Sequence, residues 1–227
     1  MLDTLLLTLV LLGIAGLATS RVDSCMRLMA VQGVILGVLL LIVHSEEMTW
    51  RLVGLASVTI VLKGVVVPWA LLRSIRTVGA RREVEPYVGF GVSVVLGALA
   101  FGAAFFLTSY LPALPDVQSR LLVPVALALC FIGLLFLVTR KMAIAQVIGY
   151  LVLENGIFVF SLGLAHALPA SVEMGVLLDV FVGALVLGIT VNSINQEFDH
   201  IDANRLQQLH DLPTPRELAA RRRAERR

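Results

Sequence analysis

Residues 120–138 read RLLVPVALALCFIGLLFLV, and after Arg120 this stretch carries no charged side chain. The hydrocarbon core of a bilayer is roughly 30 Å thick, and a helix needs about 20 apolar residues to cross it. Lipid offers the backbone no hydrogen-bond partner, so an apolar stretch of this length must be helical. We therefore predict a transmembrane helix over 120–138.

Six further apolar stretches lie on either side of this one. They predict spans near residues 2–19, 26–44, 51–72, 87–109, 142–166 and 171–195. Of the 227 residues, 58% are hydrophobic and 15% are charged, whereas apolar usage in soluble domains is about 45–50%. The fold class that follows is an all-α integral membrane protein of about seven transmembrane helices.

The basic residues between the predicted spans lie mainly on one side of the bundle. The first, third and fifth connections carry Arg21, Arg27, Arg73, Arg76, Arg81, Arg82, Arg140 and Lys141. The opposite side carries only Arg51 and Arg120. Because Lys and Arg are retained on the cytoplasmic side of short loops, we expect the N-terminus outside and the C-terminus in the cytoplasm. The net charge of +2 gives no reason to expect a nucleic-acid partner.

The spans divide the chain into four parts. We predict a three-helix block over 1–73, a linking fourth helix within 74–118, a second three-helix block over 119–196 and a basic cytoplasmic tail over 197–227. At one constant offset Arg27 matches Lys141 and Gln32 matches Gln146, and with a two-residue slip Lys63 falls opposite Asp179. We hypothesise from this a parallel repeat of the two blocks. The tail is either a topological anchor or a docking segment for acidic partners or anionic lipid.

Three charged residues fall well inside predicted spans: Lys63, Glu154 and Asp179. An ionised side chain at the bilayer centre costs at least roughly 2.5–3.5 kcal/mol. At a rise of 1.5 Å per residue, Glu154 lies about 18 Å from the cytoplasmic face and Asp179 about 12 Å from the outer face. In a core of about 30 Å the two carboxylates share a level, with Lys63 slightly nearer the cytoplasm.

Two readings of these charges stay open. Ionisable groups buried with little water have pKa values shifted towards the neutral form, so they can pass protons along a chain. Water between them would be held by polar neighbours, for which the candidates are Gln146, Asn155, Ser161 and Asn192. Alternatively, Lys63 forms a static buried ion pair with Glu154 or Asp179 that fixes helix packing.

Motifs of soluble enzymes are absent from the sequence. It contains no glycine-rich phosphate loop, no paired CxxC and no HExxH. Cys25 and Cys130 are too far apart in sequence to indicate a disulfide framework or a metal site. We therefore expect a non-catalytic chain that holds no cofactor and no metal of its own.

Several short motifs resemble one family of membrane subunits. The run QVIGYLVLENG (146–156), with Leu178 and Asp179 after it, resembles the component E subunits of hydrogenase-4 and related formate hydrogenlyase complexes. The run KGVVVP (63–68) resembles an element of their third helix, and DANRL (202–206) resembles the polar stretch after their last helix. The resemblance covers about residues 1–210, and the glutamate motif is its most specific part.

This resemblance implies a function for the chain. The last three helices of the family are similar to subunit K of respiratory complex I and to the C-type subunit of multisubunit cation/proton antiporters. Glu154 and Asp179 are then implied to be proton-relay carboxylates, with Lys63 modulating them. The second acid is here aspartate, and the tail beyond about residue 210 departs from the family pattern.

The resemblance also implies the setting of the chain. The implied partners are antiporter-like large membrane subunits, other complex I-like core membrane subunits, lipids and a peripheral hydrogenase arm. Nickel-iron and iron–sulfur centres are expected in those partners, and the location is the plasma or inner membrane. Two alternatives remain, a subunit of a multisubunit cation/proton antiporter and a purely structural scaffold subunit.

Overall fold

The computed structural model of the chain describes residues 1–45, 49–78, 87–111, 119–141, 143–163 and Phe181. The secondary structure of these ranges is helical. In chain order the helices are α1 (Leu2–Ala18), α2 (Val22–Val43), α3 (Trp50–Val61), a π-helical turn (Leu62–Val66), α4 (Val67–Val78), α5 (Phe90–Ser109), α6 (Leu122–Thr139) and α7 (Ala143–Gly163). The all-α prediction is confirmed for the described part of the chain.

Among the described residues, five helical segments are long and apolar enough to cross a membrane. They are Val22–Val43, Trp50–Arg73, Phe90–Ser109, Leu122–Thr139 and Ile144–Gly163. The helix α1 is equally apolar but, at 17 residues, shorter than the others. The predicted span over 171–195 and the tail over 197–227 lie outside the described residues, except for Phe181. The chain is thus an all-α membrane protein.

The third span contains a feature that the predicted helix over 51–72 did not include. Between α3 and α4 the backbone widens into the π-helical turn, and the amide N–H of Val67 bonds to the carbonyl of Leu62, five residues back. Pro68 explains this turn, because proline lacks an N–H and its ring clashes with the carbonyl four residues earlier. The added residue displaces the helix register at Lys63, which lies within the turn.

Helix α2 is the centre of the N-terminal part of the bundle, with contacts to α1, α3, the π-turn, α4 and α7. Glycines at 33 and 37 permit its close approach to the third span. A Cβ on Gly33 would lie 2.6 Å from the carbonyl carbon of Lys63, and one on Gly37 would overlap the side chain of Ile60. Side chains at either position would push the two spans apart.

Helices α6 and α7 pack against each other in the same way. A Cβ on Gly156 of α7 would lie 2.7 Å from the backbone nitrogen of Cys130 on α6. A Cβ on Gly149 would lie 2.6 Å from the Cβ of Phe136. Backbone-to-backbone contact of this kind is how small residues hold membrane helices together, since lipid gives no hydrophobic gain for association.

Contacts at the two ends of the bundle fix the relative direction of three helices. At one end, Arg140 after α6 reaches the carbonyl of Leu17 near the end of α1, and the amide of Tyr87 before α5 bonds to the carbonyl of Thr139. At the other end, Ser119 before α6 bonds to Asp3 at the start of α1. Helices α1 and α6 therefore run parallel to each other and antiparallel to α5.

Candidate functional site

Two of the three predicted intramembrane charges meet inside the bundle. The Nζ of Lys63 lies 3.7 Å from Oε1 of Glu154, and the two side chains are 7% and 2% exposed. The separation is that of an ion pair and is longer than a charge-assisted hydrogen bond of about 2.7–2.9 Å. The prediction that Lys63 and Glu154 lie at similar depth agrees with this contact.

Asn155 holds the lysine more closely than the carboxylate does. The ammonium of Lys63 donates a hydrogen bond of 2.9 Å to Oδ1 of Asn155, which is 4% exposed. On a further side, Nζ of Lys63 lies 5.4 Å from the ring centroid of Phe158, within the range of a cation–π contact. Little more than one turn of α7 thus contributes an anion, an amide and an aromatic face to one cation.

A chain of hydrogen bonds continues from Asn155 across the bundle. The amide Nδ2 of Asn155 donates to Oε1 of Gln32 at 3.1 Å, and Nε2 of Gln32 donates to the carbonyl of Leu9 at 2.8 Å. Gln32 is fully buried. The third span, α7, α2 and α1 are therefore joined by one buried chain of hydrogen bonds.

Local sequence explains how these groups come together. Glu154 and Asn155 are adjacent residues of α7, so their side chains leave the helix about 100° apart and both reach toward the third span. Lys63 points at them from the π-turn, and Gly33 on α2 lets the backbone of that turn approach. Single-turn π segments are frequent at functional sites, and here the turn carries the charged residue.

A small cavity lies beside the ammonium group. Lys63 and Asn155 supply its polar walls, and the apolar walls come from Met26, Met29, Val67, Pro68 and Leu151. Its water-accessible volume is about 10 Å³. A single buried water needs at least roughly 10–15 Å³ by that measure together with polar partners, so the cavity is at the lower limit of the size that one water needs next to Lys63.

The other residues predicted to hold water either bond to main-chain carbonyls or lie outside the described ranges. Gln146, two turns before Glu154, is exposed and donates to the carbonyl of Arg140 at 3.2 Å. Ser161 is buried, and its hydroxyl donates to the carbonyl of Phe158 at 2.7 Å. Asp179 and Asn192 lie outside the described residues. Of the three predicted water-holding neighbours that the structure describes, Asn155 is the one that bonds to Lys63.

Gln32 has a larger part in the site than its sequence position indicated. The sequence pattern singles it out only as a partner of Gln146 in the hypothesised repeat. An uncharged amide in the middle of an apolar span is itself a signal, because a buried amide without a hydrogen-bond partner costs several kcal/mol and must therefore find one. The sequence does not show which neighbour supplies that partner.

Arg140 is buried, although it is one of the basic residues of the predicted connections. Its guanidinium is fully enclosed, donates to the carbonyl of Leu17 at 2.6 Å, and lies 5.0 Å from the ring of Phe90 and 5.5 Å from that of Phe136. Within the described part of the chain, Nε and Nη1 have no acceptor. Burial lowers the pKa of the Arg140 guanidinium from its ordinary value. The contact joins a cation to the carbonyl end of α1, where the helix dipole favours it.

Metal-binding clusters are absent from the residues that the structure describes. No group of three or more His, Cys, Asp or Glu side chains there has a metal-binding arrangement. Cys25 and Cys130 are both free thiols, the first buried and the second half-buried. The candidate site is therefore the polar cluster of Lys63, Glu154, Asn155 and Gln32.

Comparison with known proteins identifies a relative of the chain. No family model matches the chain, and no solved structure matches it. The chain is 30% identical over 189 residues, 83% of its length, to "Uncharacterized protein Rv0085" of Mycobacterium tuberculosis, of which the match covers 86%. Identity of this extent over most of both proteins places them together, and the chain belongs to the same family as Rv0085.

Proposed function

We propose that the chain is a membrane subunit of a complex I-like membrane-bound hydrogenase of the hydrogenase-4 or formate hydrogenlyase type. In this role it contributes a proton-translocation path through intramembrane carboxylates and catalyses no reaction itself. The observation that supports this most is the buried cluster in which Lys63 lies 3.7 Å from Glu154, inside two membrane-spanning helices.

The energetic cost of this cluster is the first argument for a function. Bringing two charges out of water costs several kcal/mol per ion, and a well-packed apolar pair is often no less stable than a buried ion pair. Charges inside membrane spans are therefore functional by default, with a named partner. The pair of Lys63 and Glu154 meets that description, since it joins two spans in the interior.

Access to water is the second argument. A proton path needs carriers whose gaps are bridged by water or by polar side chains. The cavity beside Lys63 and Asn155 is at the lower limit of the size that holds one water molecule. A water held there would lie against the ammonium, and Glu154 is 3.7 Å from that ammonium. Glu154 is then the first carboxylate of the proposed path, and Asp179 is the second.

The setting follows from the family resemblance. Antiporter-like large subunits and core membrane subunits would continue the path on either side of the chain. Nickel-iron and iron–sulfur centres in a peripheral hydrogenase arm would supply the redox energy, and this chain would hold neither. The proposed location is the plasma or inner membrane, with the N-terminus outside, about seven spans and a basic cytoplasmic tail.

A second candidate, the structural scaffold, is favoured by a specific observation. Lys63, Asn155 and Gln32 are tied into a continuous hydrogen-bonded chain, and such a chain could serve only to align four helices. The antiporter alternative is a subunit in which the same acids would lie beside cation-coupled partners. The three readings differ in which proteins surround the chain and in whether Glu154 exchanges a proton.

Purification with partners tests the setting. The chain would carry an affinity tag, be extracted in mild detergent from its own membrane, and be analysed by mass spectrometry together with everything bound to it. The proposal expects nickel-iron hydrogenase subunits and antiporter-like subunits to co-purify. A matched control is an equally tagged, unrelated membrane protein of the same cells. Cation-antiporter subunits alone would replace the proposal with the antiporter reading, and a chain that purifies alone would refute both.

A further inference from the structure

The chain of hydrogen bonds between Lys63 and α1 has a fixed direction. A main-chain carbonyl can only accept, so Gln32 must present its NH₂ group to the carbonyl of Leu9. Its oxygen Oε1 then faces Asn155, which must in turn donate through Nδ2. That leaves Oδ1 of Asn155 facing Lys63, whose ammonium can only donate. The carbonyl of Leu9 at one end of the chain and the ammonium of Lys63 at the other therefore require the same orientation of the two amides.

This direction places the negative end of an amide dipole against the ammonium. If Asn155 were rotated by half a turn, its NH₂ group would face the NH₃⁺ group of Lys63, and two donors would oppose each other. Gln32 prevents that rotation, because its oxygen accepts the hydrogen bond from Nδ2 at 3.1 Å. The orientation of Asn155 toward Lys63 is thus determined by a residue on a different helix from either of them.

The amide and the carboxylate compete for the lysine. Nζ of Lys63 is 2.9 Å from Oδ1 of Asn155 but 3.7 Å from Oε1 of Glu154. Because Coulomb energy falls with the inverse of distance, the attraction at 3.7 Å is about three quarters of that at a hydrogen-bonded 2.8 Å. Among the described residues, Glu154 is the titratable group at ion-pair distance, and the walls from α2 and α4 are apolar.

We propose that Gln32 is a positioning residue, which acts through Asn155 to hold the ammonium of Lys63 on an amide oxygen and at ion-pair distance from Glu154. The role rests on the proposed proton path, in which Glu154 exchanges a proton. A lysine that is hydrogen-bonded to the carboxylate would have to be displaced before each protonation. A lysine held on Asn155 supplies positive charge near the carboxylate of Glu154. Its hydrogen bond to Asn155 stays unchanged when that carboxylate is protonated.

The geometry can be measured because the chain contains only two lysines, Lys63 and Lys141. The substitution Lys141→Arg keeps the cation near the ring of Tyr87 and leaves Lys63 as the single lysine. The full chain in lipid bilayers would carry ¹⁵N at lysine Nζ, with ¹³C either at asparagine Cγ or at glutamate Cδ. Solid-state NMR would then compare the two ¹⁵N–¹³C dipolar couplings. Loss of the glutamate coupling in Glu154→Gln identifies its source.

We expect the coupling of Lys63 to asparagine to exceed its coupling to glutamate. In Gln32→Met the lysine should move to the carboxylate. Dipolar coupling varies with the inverse cube of the Nζ–Cδ distance, and that distance shortens when Nζ and Oε1 close from 3.7 Å to about 2.8 Å. The glutamate coupling should therefore rise by up to about twofold. The control Ser57→Ala lies on the exposed side of the third span and should leave both couplings unchanged.

Two results would overturn the proposal. One is a stronger coupling to glutamate than to asparagine before Gln32 is changed, which can be read even if Gln32→Met does not fold. The other is a folded Gln32→Met chain with both couplings unaltered. Neither measurement involves proton transport, so these results would leave the proposed function standing. Conversely, a transport assay in which Glu154 proves dispensable would refute the function and leave the geometry intact.

Discussion

Removal of the buried cation at position 63 should destabilise the chain far more than removal of the cation and its partner together. Two unit charges 3.7 Å apart attract by roughly 4.5 kcal/mol at an effective dielectric constant of about 20. In Lys63→Met the carboxylate of Glu154 loses this attraction, and leaving one member of a buried pair costs about 3–5 kcal/mol. In the double variant Lys63→Met/Glu154→Gln no charge remains, so most of that loss should be recovered.

The assay is a double-mutant cycle on the free energy of unfolding in mixed detergent micelles, obtained by extrapolation from denaturant titrations. We expect a coupling energy of about 2–4 kcal/mol between Lys63 and Glu154. The control Ser57→Ala, on the exposed side of the same span, should change stability by no more than about 0.5 kcal/mol. Additive effects of Lys63→Met and Glu154→Gln, within about 0.5 kcal/mol, would refute the ion pair.

Three further substitutions test the packing that positions the cluster. Gly33→Ala should cost about 1–3 kcal/mol in the same unfolding assay, because the new Cβ would lie 2.6 Å from the backbone of Lys63. The control Gly102→Ala meets nothing within 4 Å and should be neutral or stabilising by up to about 1 kcal/mol, because alanine favours a helix interior over glycine. Equal effects of the two would contradict the close approach of α2. Pro68→Ala removes the cause of the π-turn. The coupling energy between Lys63 and Glu154, measured in that background, should therefore fall below about half of its value in the unmodified chain. An undiminished coupling energy would show that Pro68 does not position Lys63. Arg140→Lys keeps a charge but loses planar stacking on two rings. The free energy of unfolding should fall by about 1 kcal/mol, and an unchanged value would contradict this role of the guanidinium.

The spans were predictable because their length is set by the bilayer and not by neighbouring helices. The apolar stretches at 26–44 and 120–138 correspond to α2 and α6 with shifts of a few residues at their ends. The π-turn in the third span was not predicted: Pro68 explains it, but its position at Lys63 depends on how the bundle accommodates the widened turn. Composition identifies the helices, whereas backbone irregularity inside them depends on packing.

The depth of the site residues in the membrane could be predicted from the sequence, but the direction in which their side chains face could not. A rise of 1.5 Å per residue predicts that Lys63 and Glu154 lie at similar levels, and static pairing of the two was one of the open readings. Which way each side chain faces depends on the rotation of its helix, and that is set by contacts such as those of Gly33 and Gly156. The sequence pattern therefore could not predict the hydrogen bond from Lys63 to Asn155.

Arg140 is a residue whose burial the sequence did not predict. A basic residue at the end of an apolar stretch predicts a solvated loop, because a charge is usually retained at the membrane surface. Here the rings of Phe90 and Phe136 and the carbonyl of Leu17 enclose it. These three partners come from different helices, so no local pattern in the sequence distinguishes this arginine from its exposed neighbours.

Proton translocation in membranes that carry the Glu154→Gln variant decides whether Glu154 relays protons. The variant removes the exchangeable proton but keeps the size of the side chain, and its assembly with partner subunits would be measured beside the wild type. If Glu154 relays protons, the variant should assemble normally and lose most proton translocation per turnover, while Ser57→Ala retains it. An assembled Glu154→Gln complex that translocates protons at the wild-type rate would contradict the relay and leave the scaffold reading.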